Sequence, residues 1–205
     1  MGRLRIKMLA LWWRMSVPYR LRSMGVTVSN GAVFYGMPIV SLWPGSKIHI
    51  CERAVLCSDS RFTALGVNHP VVLRTLGPGA EISIGSDTGI SGGTVCAATS
   101  VRIGNECMFG ANVTIADTDF HAIAPENRRF NKNGADIAST PVVIGDNVFL
   151  GTGVIVLKGV TVGDNSVVGS GSLVVKNIPG NCIAAGNPAR MIREIAAPRP
   201  SGSGA

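Results

Sequence analysis

A six-residue repeat runs through the C-terminal half of the chain. From Ile144 to Pro179 the sequence divides into six consecutive hexads, IGDNVF, LGTGVI, VLKGVT, VGDNSV, VGSGSL and VVKNIP. The first place of every hexad is aliphatic, and four of the six second places are Gly. An amphipathic helix repeats its apolar residues with a period of about 3.6, and a half-buried strand with a period of about 2. A period of six fits neither, and indicates a chain that turns a corner every six residues.

Three such strands close one triangular coil of 18 residues, and a stack of coils forms a solenoid. The repeat therefore predicts an all-β fold, a parallel β-helix in which Ile144 lies on Val162, Leu150 on Val168 and Val156 on Val174. Gly in the second place is expected to supply backbone freedom at the corner and to let neighbouring coils approach closely.

The pattern continues upstream with less regularity. The six-residue phase recurs in two sets of apolar residues, with one extra residue between the sets. The first set is Ile84, Ile90 and Cys96, and the second is Ile103, Phe109 and Ile115. An earlier, more degenerate coil contains Ile50, Leu56 and Phe62, and the segment 63–79 is expected to hold a loop. We therefore predict a basic N-terminal helix within 1–30, a β-helix over 31–195 and a disordered tail over 196–205.

One interruption of the repeat is large. Ile103 to Ile144 spans 41 residues, and one coil accounts for 18, which leaves about 23 extra residues. The surplus lies in the polar segment 117–140, which is expected to be a loop extruded from the solenoid. Long loops in compact folds are usually functional or disordered.

The start of this loop carries a reactive cluster of Asp117, Asp119 and His121. An imidazole can accept a proton from a hydroxyl near neutral pH, and a carboxylate bound to its other nitrogen fixes the tautomer. On an extended strand residues 117, 119 and 121 share a face, so Asp119 or Asp117 is expected to orient His121, although Glu126 could also reach it. The spacing alone leaves open that His121 is a loop histidine without a role.

Other side chains offer weaker candidates. His49 alternates with Ile48 and Ile50 in a strand, and His69 precedes a proline in a loop. No Ser or Cys has a nucleophile-elbow context, so covalent catalysis has little support. The five cysteines lack the spacing of a zinc site, so we expect small buried thiols in a reducing cytoplasm, and no metal.

The net charge of +7 is concentrated at the N-terminus, since residues 1–51 carry seven bases and no acid, whereas 52–205 carry twelve of each. This asymmetry argues against a nucleic-acid-binding surface. Within 3–16 an apolar stripe has helical spacing, and it contains Leu4, Met8, Leu11, Trp12 and Met15. Such a helix could cap the open first coil or attach residues 1–25 to the membrane interface, and the sequence leaves both open. No apolar run approaches the roughly 20 residues that span a bilayer.

The hexads, the stretch IADTDFHAI at 115–123 and the closing AAGNPARMIREI at 184–195 resemble the hexapeptide-repeat acyltransferases. Within that family the likeness is to galactoside, maltose and nodulation-type sugar O-acetyltransferases, and to O-acetyltransferases of bacterial surface-polysaccharide pathways. The resemblance implies a left-handed β-helix, a cytoplasmic homotrimer with each active site between two subunits, and acetyl-CoA bound along that cleft. His121 matches the family's base, which deprotonates the acceptor hydroxyl for direct attack on the thioester.

The resemblance also assigns ligand-binding residues. The cofactor-binding positions are Phe149, Gly151, Thr152, Ser170, Lys176, Arg190 and Arg193, and the acceptor-binding positions are Ser91 and Asn112. Thr152 and Ser170 match positions along the pantetheine arm, and the three cations match positions near the CoA phosphates and adenine. Backbone N–H groups near Gly151 or Thr152 are candidate oxyanion donors.

The sequence departs from the family's pattern at two positions, and it leaves two alternative functions open. Phe149 stands where the family often has Trp, and Ser91 stands near an acceptor-binding Asn of the galactoside and maltose enzymes, so the sugar is left open. One alternative is N-acetylation of a nucleotide-linked amino sugar, because an amine needs the base less. Another is a non-catalytic or zinc-dependent β-helix module, for which only His121 has a credible position.

Overall fold

The computed structural model of the protein describes residues 3–126, 128–131 and 133–195. It is a left-handed parallel β-helix preceded by one helix, which confirms the predicted fold class. Helix α1 spans Arg3–Ser23, and the predicted tail lies outside the described residues. The short strands that follow are β1 (Thr27–Val28), β2 (Val33–Tyr35), β3 (Ile39–Ser41), β4 (Lys47–Ile50), β5 (Val55–Cys57), β6 (Val72–Thr75), β7 (Glu81–Ile84), β8 (Gly89–Ser91), β9 (Thr94–Ala97), β10 (Ser100–Ile103), β11 (Met108–Phe109), β12 (Thr114–Ala116), β13 (Val142–Ile144), β14 (Phe149–Leu150), β15 (Ile155–Val156), β16 (Thr161–Val162), β17 (Val167–Val168), β18 (Leu173–Val174), β19 (Cys182–Gly186) and β20 (Ala189–Glu194).

Strands β1 to β18 form six coils of three strands, and the coils stack into a triangular prism. The first strand of every coil lies in sheet A, the second in sheet B and the third in sheet C, and all of these pairings are parallel. Ile144 pairs with Val162, Leu150 with Val168 and Val156 with Val174, as the hexads predict. The core is the column of inward aliphatic side chains at the centre of the prism.

The upstream coils depart from the predicted phase. Ile90 and Val95, both inward, are only five residues apart, so Val95 pairs with Ile115 and the expected stacking of Cys96 on Ile115 is wrong. The placement of Phe62 in the second coil is also wrong. Residues 58–71 form a loop, and Phe62 lies in its 3₁₀ turn Ser60–Phe62. The third strand of the second coil is therefore β6, which follows the loop and supplies the inward side chains.

The second and fourth places of the hexads have different roles. A Cβ on Gly145 would lie 2.1 Å from Asp164 Oδ1, and a Cβ on Gly151 would lie 2.6 Å from Ser170 N, so close approach of the coils requires these glycines. The left-handed φ angles belong to the fourth place, at Asn147, Gly153, Gly159, Asn165 and Gly171. The predicted close approach is confirmed, whereas the backbone freedom at the corner lies two residues later than predicted.

Helix α1 closes the N-terminal end of the β-helix. Val17 and Leu21 are fully buried, Trp13 packs against the core, and the helix contacts β1 and β2. The Arg22 guanidinium donates hydrogen bonds of 2.7 and 3.1 Å to the Val28 carbonyl. Capping is therefore performed by a face different from the apolar stripe that begins at Leu4. In the described part of the chain, no helix is long and apolar enough to cross a membrane.

All five cysteines are free thiols; Cys51 is half-buried, and the buried ones are Cys57, Cys96, Cys107 and Cys182. Burial raises the pKa of each of these four buried thiols above its ordinary value. They are therefore protonated near pH 7, and a protonated thiol is a poor nucleophile.

Candidate active site

Two edges of the prism carry the residues that the sequence singled out. We call the corner between sheets B and C the hairpin edge, because the antiparallel hairpin of β19 and β20 extends sheet B at its C-terminal end. We call the corner between sheets C and A the loop edge. The segment 117–141 leaves the β-helix there, between β12 and β13, and it contains a 3₁₀ turn at Gly134–Asp136.

Four of the predicted ligand-binding residues lie in successive coils along the hairpin edge, and they are Ser91, Asn112, Thr152 and Ser170. The Asn112 N–H donates to the Ser91 carbonyl at 2.9 Å, and the Gly171 N–H donates to the Thr152 carbonyl at 2.8 Å. Neighbouring coils are separated by about 4.8 Å, so the row is about 15 Å long. The structure thus brings the predicted acceptor positions and the predicted pantetheine positions onto one edge.

The hairpin continues this row. Arg190 pairs with Ala185, and a Cβ on Gly169 would lie 2.9 Å from the Ala185 Cβ, so Arg190 lies two strands beyond Gly169 at the C-terminal end of the row. Arg193 lies on the same strand, opposite Ile183. Two of the three predicted phosphate-binding cations are therefore at one end of the row.

Main-chain donors are available on this edge. The Gly151 N–H donates to the Val168 carbonyl at 2.8 Å. The N–H groups of Thr152 and Ser170 have no acceptor within the residues described. Of the two predicted oxyanion donors, Thr152 is therefore the one that can bind a ligand. Phe149 lies on the outer face of sheet B just before this corner, with 40% of its surface exposed.

Asp117 anchors the loop edge. Its side chain is fully buried and accepts hydrogen bonds from Ala98 N at 2.6 Å, and from Thr99 N, Thr99 Oγ1 and Ser100 N at 2.7 Å. Its carbonyl accepts from Thr140 N at 2.8 Å, where the loop returns. Asp117 therefore fixes the preceding corner and the base of the loop, and it makes no hydrogen bond to His121.

The expectation that residues 117, 119 and 121 share one face of a strand is wrong. Strand β12 ends at Ala116, and Phe120 has a φ of 61°, a left-handed conformation that is costly for a bulky side chain. The resulting turn leaves Asp119 half-buried and His121 exposed. None of Asp117, Asp119 and Glu126 hydrogen-bonds to the imidazole in the part of the chain that is described.

Asp119 has a different partner. Its Oδ1 lies 2.6 Å from Lys158 Nζ, and both side chains are largely shielded from solvent, with 24% and 29% of their surfaces exposed. Its Oδ2 is buried and has no hydrogen-bond donor among the residues described. One oxygen of Asp119 therefore holds the loop to the next coil, and the other is available to a donor.

His121 lines a cavity of about 540 Å³. The other lining residues come from the same loop, and they are Pro125, Arg128, Arg129 and Phe130. The Arg128 guanidinium bonds to the carbonyls of Ile123 and Ala124, which stiffens the loop around the cavity. The cavity thus presents an imidazole, two guanidinium groups and an aromatic ring, a combination suited to a polar ligand with an anionic group.

The two edges are separate within one chain. His121, Lys158 and Lys176 follow strands of sheet C and lie on the loop edge, whereas Thr152 and Ser170 follow strands of sheet B. Lys176 is therefore not beside Arg190 and Arg193, the other two predicted phosphate ligands. Within the described ranges, no three His, Cys, Asp or Glu side chains are grouped so that they could hold a metal ion.

Comparison with known proteins agrees with this architecture. The model of the bacterial transferase hexapeptide (six repeats) matches residues 141–176, and the model of the hexapeptide repeat of succinyl-transferase matches residues 100–116. A solved galactoside acetyltransferase in complex with coenzyme A is 30% identical, with a TM-score of 0.56, over 95% of this chain and 80% of that one.

The chain belongs to the family of hexapeptide-repeat transferases.

Curated members of this family match about half of the chain. Galactoside O-acetyltransferase of Lactococcus lactis subsp. lactis (strain IL1403) is 49% identical over 97 residues, which are 47% of this chain and 44% of that protein. Polysialic acid O-acetyltransferase of Escherichia coli O1:K1 / APEC is 38% identical over 117 residues, which are 56% of this chain and 37% of that protein. The chain thus spans less than half the length of these relatives.

Sequence reasoning on this hexapeptide-repeat transferase missed Lys158 and the cavity arginines. Ile115 pairs with Val156 in the next coil, 41 residues on, so the same offset places Lys158 beneath Asp117. Once the loop is subtracted from the repeat, this register arithmetic could have identified Lys158. Arg128 and Arg129 lie inside the extruded loop, where the hexad pattern carries no information.

Proposed function

We propose that this hexapeptide-repeat transferase is an O-acetyltransferase that moves the acetyl group of acetyl-CoA to a sugar hydroxyl, in the cytoplasm and in the assembly of a bacterial surface polysaccharide. The observation that carries the proposal is that exposed His121 lines a cavity where the loop leaves the β-helix. The galactoside and polysialic acid O-acetyltransferases among its relatives support a sugar acceptor. The coenzyme A of the solved relative supports the donor.

In the proposed reaction His121 takes the proton of the acceptor hydroxyl as its oxygen attacks the thioester carbonyl carbon. The Thr152 N–H donates to the oxyanion that develops on the carbonyl oxygen. Collapse of the tetrahedral intermediate breaks the C–S bond, and the CoA sulfur leaves with the proton held by the imidazolium. No acyl-enzyme is needed, which agrees with the burial of four of the five thiols. Asp119, whose Oδ2 has no donor among the described residues, is the acid proposed to position the imidazolium.

We propose further that the site forms between two copies in a homotrimer. His121 and Thr152 lie on different edges of one prism, so the loop edge of one copy must face the hairpin edge of the next to bring base and oxyanion donor together. A contact between two different surfaces closes into a ring when the rotation is one third of a turn. In such a ring Lys176 of one copy and Arg190 of its neighbour can both reach the CoA phosphates.

Mixing two inactive variants tests this arrangement. His121→Ala disables the loop edge, and Ser170→Trp fills the hairpin edge at an exposed position. Each variant alone is expected to be inactive, because every site in its trimer lacks one half. Random 1:1 trimers should regain about one quarter of wild-type activity, since a site needs an intact half from each of two adjacent copies. The measurement is thiol release from acetyl-CoA by co-refolded or co-expressed chains carrying two different tags.

Absence of recovery in mixed trimers that are verified by tandem purification would place both halves in one chain. A matched control is a mixture of His121→Ala with wild type, in which activity should follow the number of intact loop edges.

The chemistry itself is tested by thiol release from acetyl-CoA with a panel of acceptors. The panel pairs neutral sugars with carboxylated or phosphorylated ones, and includes nucleotide-linked amino sugars. We expect at least about a 100-fold increase over acceptor-free thioester hydrolysis with a hydroxyl acceptor, the lower end of the range that a positioned base contributes. Acidic acceptors should be preferred, because Arg128 and Arg129 line the cavity. Turnover confined to amines would replace O-acetylation by N-acetylation.

A further inference from the structure

Helix α1 has two apolar faces, and only one of them is used by the fold. The buried face carries Trp13, Val17 and Leu21, which lie against the first coil. A second stripe, which we call the outer stripe, is exposed by 51–76% per residue and contains Leu4, Met8, Leu11, Trp12, Met15 and Tyr19. With about 100° between successive residues of a helix, the centres of the two faces are about 180° apart. Most of the outer stripe therefore faces away from the β-helix, and Leu11, at one border of the stripe, lies toward Val33 and Tyr35 of β2.

The predicted alternatives of capping and interfacial attachment thus concern different sides of one helix. Capping is complete without the outer stripe, because the C-terminal half of α1 is fixed by its buried face and by the Arg22 hydrogen bonds to Val28. A contiguous stripe of large apolar side chains on a soluble surface marks a site of association. Within the stripe, the centroid of the Trp12 ring lies 4.4 Å from that of the Trp13 ring, and Leu11 borders a groove that Val33 and Tyr35 also line. The other members, Leu4, Met8, Met15 and Tyr19, are 63–76% exposed.

Charge indicates what associates with the stripe. On the helical projection Lys7 and Arg14 flank it on one side and Arg5 on the other. The helix contains no acidic residue, and the first acid of the chain is Glu52. An apolar stripe with bases along both borders and no acid matches an anionic lipid surface, in which apolar side chains enter the acyl boundary and bases contact headgroups.

We propose that α1 binds the chain to an anionic membrane surface through the outer stripe, with the helix lying in the plane of the interface. The β-helix then stands on its N-terminal end. Ser91, in the third coil, lies two coil spacings from the first coil, or about 10 Å, and the hairpin with Arg190 lies farthest from the lipid. The acceptor end of the hairpin edge therefore faces the membrane, an orientation suited to a glycan carried on a lipid. The attachment itself does not depend on acetyl transfer.

The test is co-sedimentation of the full chain with vesicles of phosphatidylcholine alone and of phosphatidylcholine with about 30% phosphatidylglycerol, because anionic lipid supplies the electrostatic attraction. The wild-type chain is expected to bind the anionic vesicles. Its bound fraction should be at least about fivefold lower on neutral vesicles and also in high salt, because salt screens exposed charges. The stripe variant Leu4→Ser/Met8→Ser/Met15→Ser and the base variant Arg5→Gln/Lys7→Gln/Arg14→Gln should each lose binding. The matched control Trp43→Ser/Leu65→Ser changes equally exposed apolar side chains outside α1 and should bind as wild type does.

The stripe variant changes only exposed side chains, so its circular dichroism melting curve should match that of wild type. Equal vesicle binding by wild type and the stripe variant would overturn the proposal. So would failure of the wild-type chain to sediment with anionic vesicles. A lower oligomeric mass of the stripe variant in light scattering, with vesicle binding unchanged, would assign the outer stripe to contact between copies instead.

Discussion

Replacement of His121 by alanine is expected to lower kcat for acetyl transfer by about 100- to 10,000-fold, the range that general acid–base catalysis contributes. Among the described residues that line the cavity, none other than His121 can take the proton of the acceptor hydroxyl near neutral pH, and a neutral hydroxyl is a poor nucleophile toward a thioester. CoA binding should be retained, because the proposed CoA positions are mostly on the hairpin edge and His121 is exposed on the loop edge. The measurements are thiol release with a saturating acceptor, calorimetric titration with CoA, and light scattering for oligomeric mass.

Two other histidines provide controls. His49 lies 4.0 Å from Glu81 on the outside of sheet A, and His69 bonds to the Pro70 carbonyl at 2.7 Å in the loop before β6. Neither lines the cavity beside His121. His49→Ala should therefore keep wild-type turnover. Retention of turnover by His121→Ala, with CoA bound normally, would refute His121 as the base.

Replacement of Asp117 by alanine is expected to destabilise the protein by about 3–5 kcal/mol, the cost of removing a charged partner from a buried network. The buried carboxylate receives three backbone N–H groups and one hydroxyl of the preceding corner, and its loss leaves these donors without an acceptor. For a domain of this size the midpoint of thermal unfolding should fall by about 10 °C. Asp117→Asn keeps the shape and one acceptor oxygen, so its effect should be about half as large.

Asp119→Ala is the matched control for stability, because it removes the same side chain two residues later. Asp119 is partly exposed and forms a salt bridge with Lys158, so removal of its side chain should lower the free energy of unfolding by at most about 1 kcal/mol. The two acids should therefore separate, with Asp117→Ala mainly lowering the unfolding midpoint and Asp119→Ala mainly lowering kcat. If Asp117→Ala has an unchanged unfolding midpoint but a greatly reduced kcat, the structural role of Asp117 would be contradicted and the catalytic role suggested by its spacing would be supported.

The regular hexads show how much of the fold could be predicted. Close packing of identical coils forces an aliphatic residue inward every six positions, so the register of β13 to β18 follows from the sequence alone. The prediction failed at Cys96, where a corner has one residue fewer, and at Phe62, which lies in an inserted loop. A corner can lose a residue and a loop can be inserted without changing which side chains are apolar, so only the hydrogen-bonded pairing reveals the shift.

The candidate site divides in the same way. The sequence identified His121 because the repeat breaks there, and the resemblance identified the row from Ser91 to Arg190. Sequence spacing could not show that Asp117 and Asp119 have different partners. Their partners depend on the left-handed turn at Phe120 and on the corner whose N–H groups Asp117 accepts from. The repeat places Lys158 in the next coil once the loop is subtracted, but only the structure shows that its ammonium bonds to Asp119.

By itself, the sequence determined the solenoid, the position of its extruded loop and the concentration of positive charge near the N-terminus, because periodicity and charge are properties of chain order. The tertiary structure decided which face of α1 caps the β-helix, which acid is buried in a hydrogen-bond network, and that the proposed base and the proposed oxyanion donor lie on different edges of one prism. Each of these depends on contacts between residues distant in the chain. Hydrogen bonds and burial give different roles to nearby residues of the same type, such as two acids, which sequence spacing alone does not distinguish.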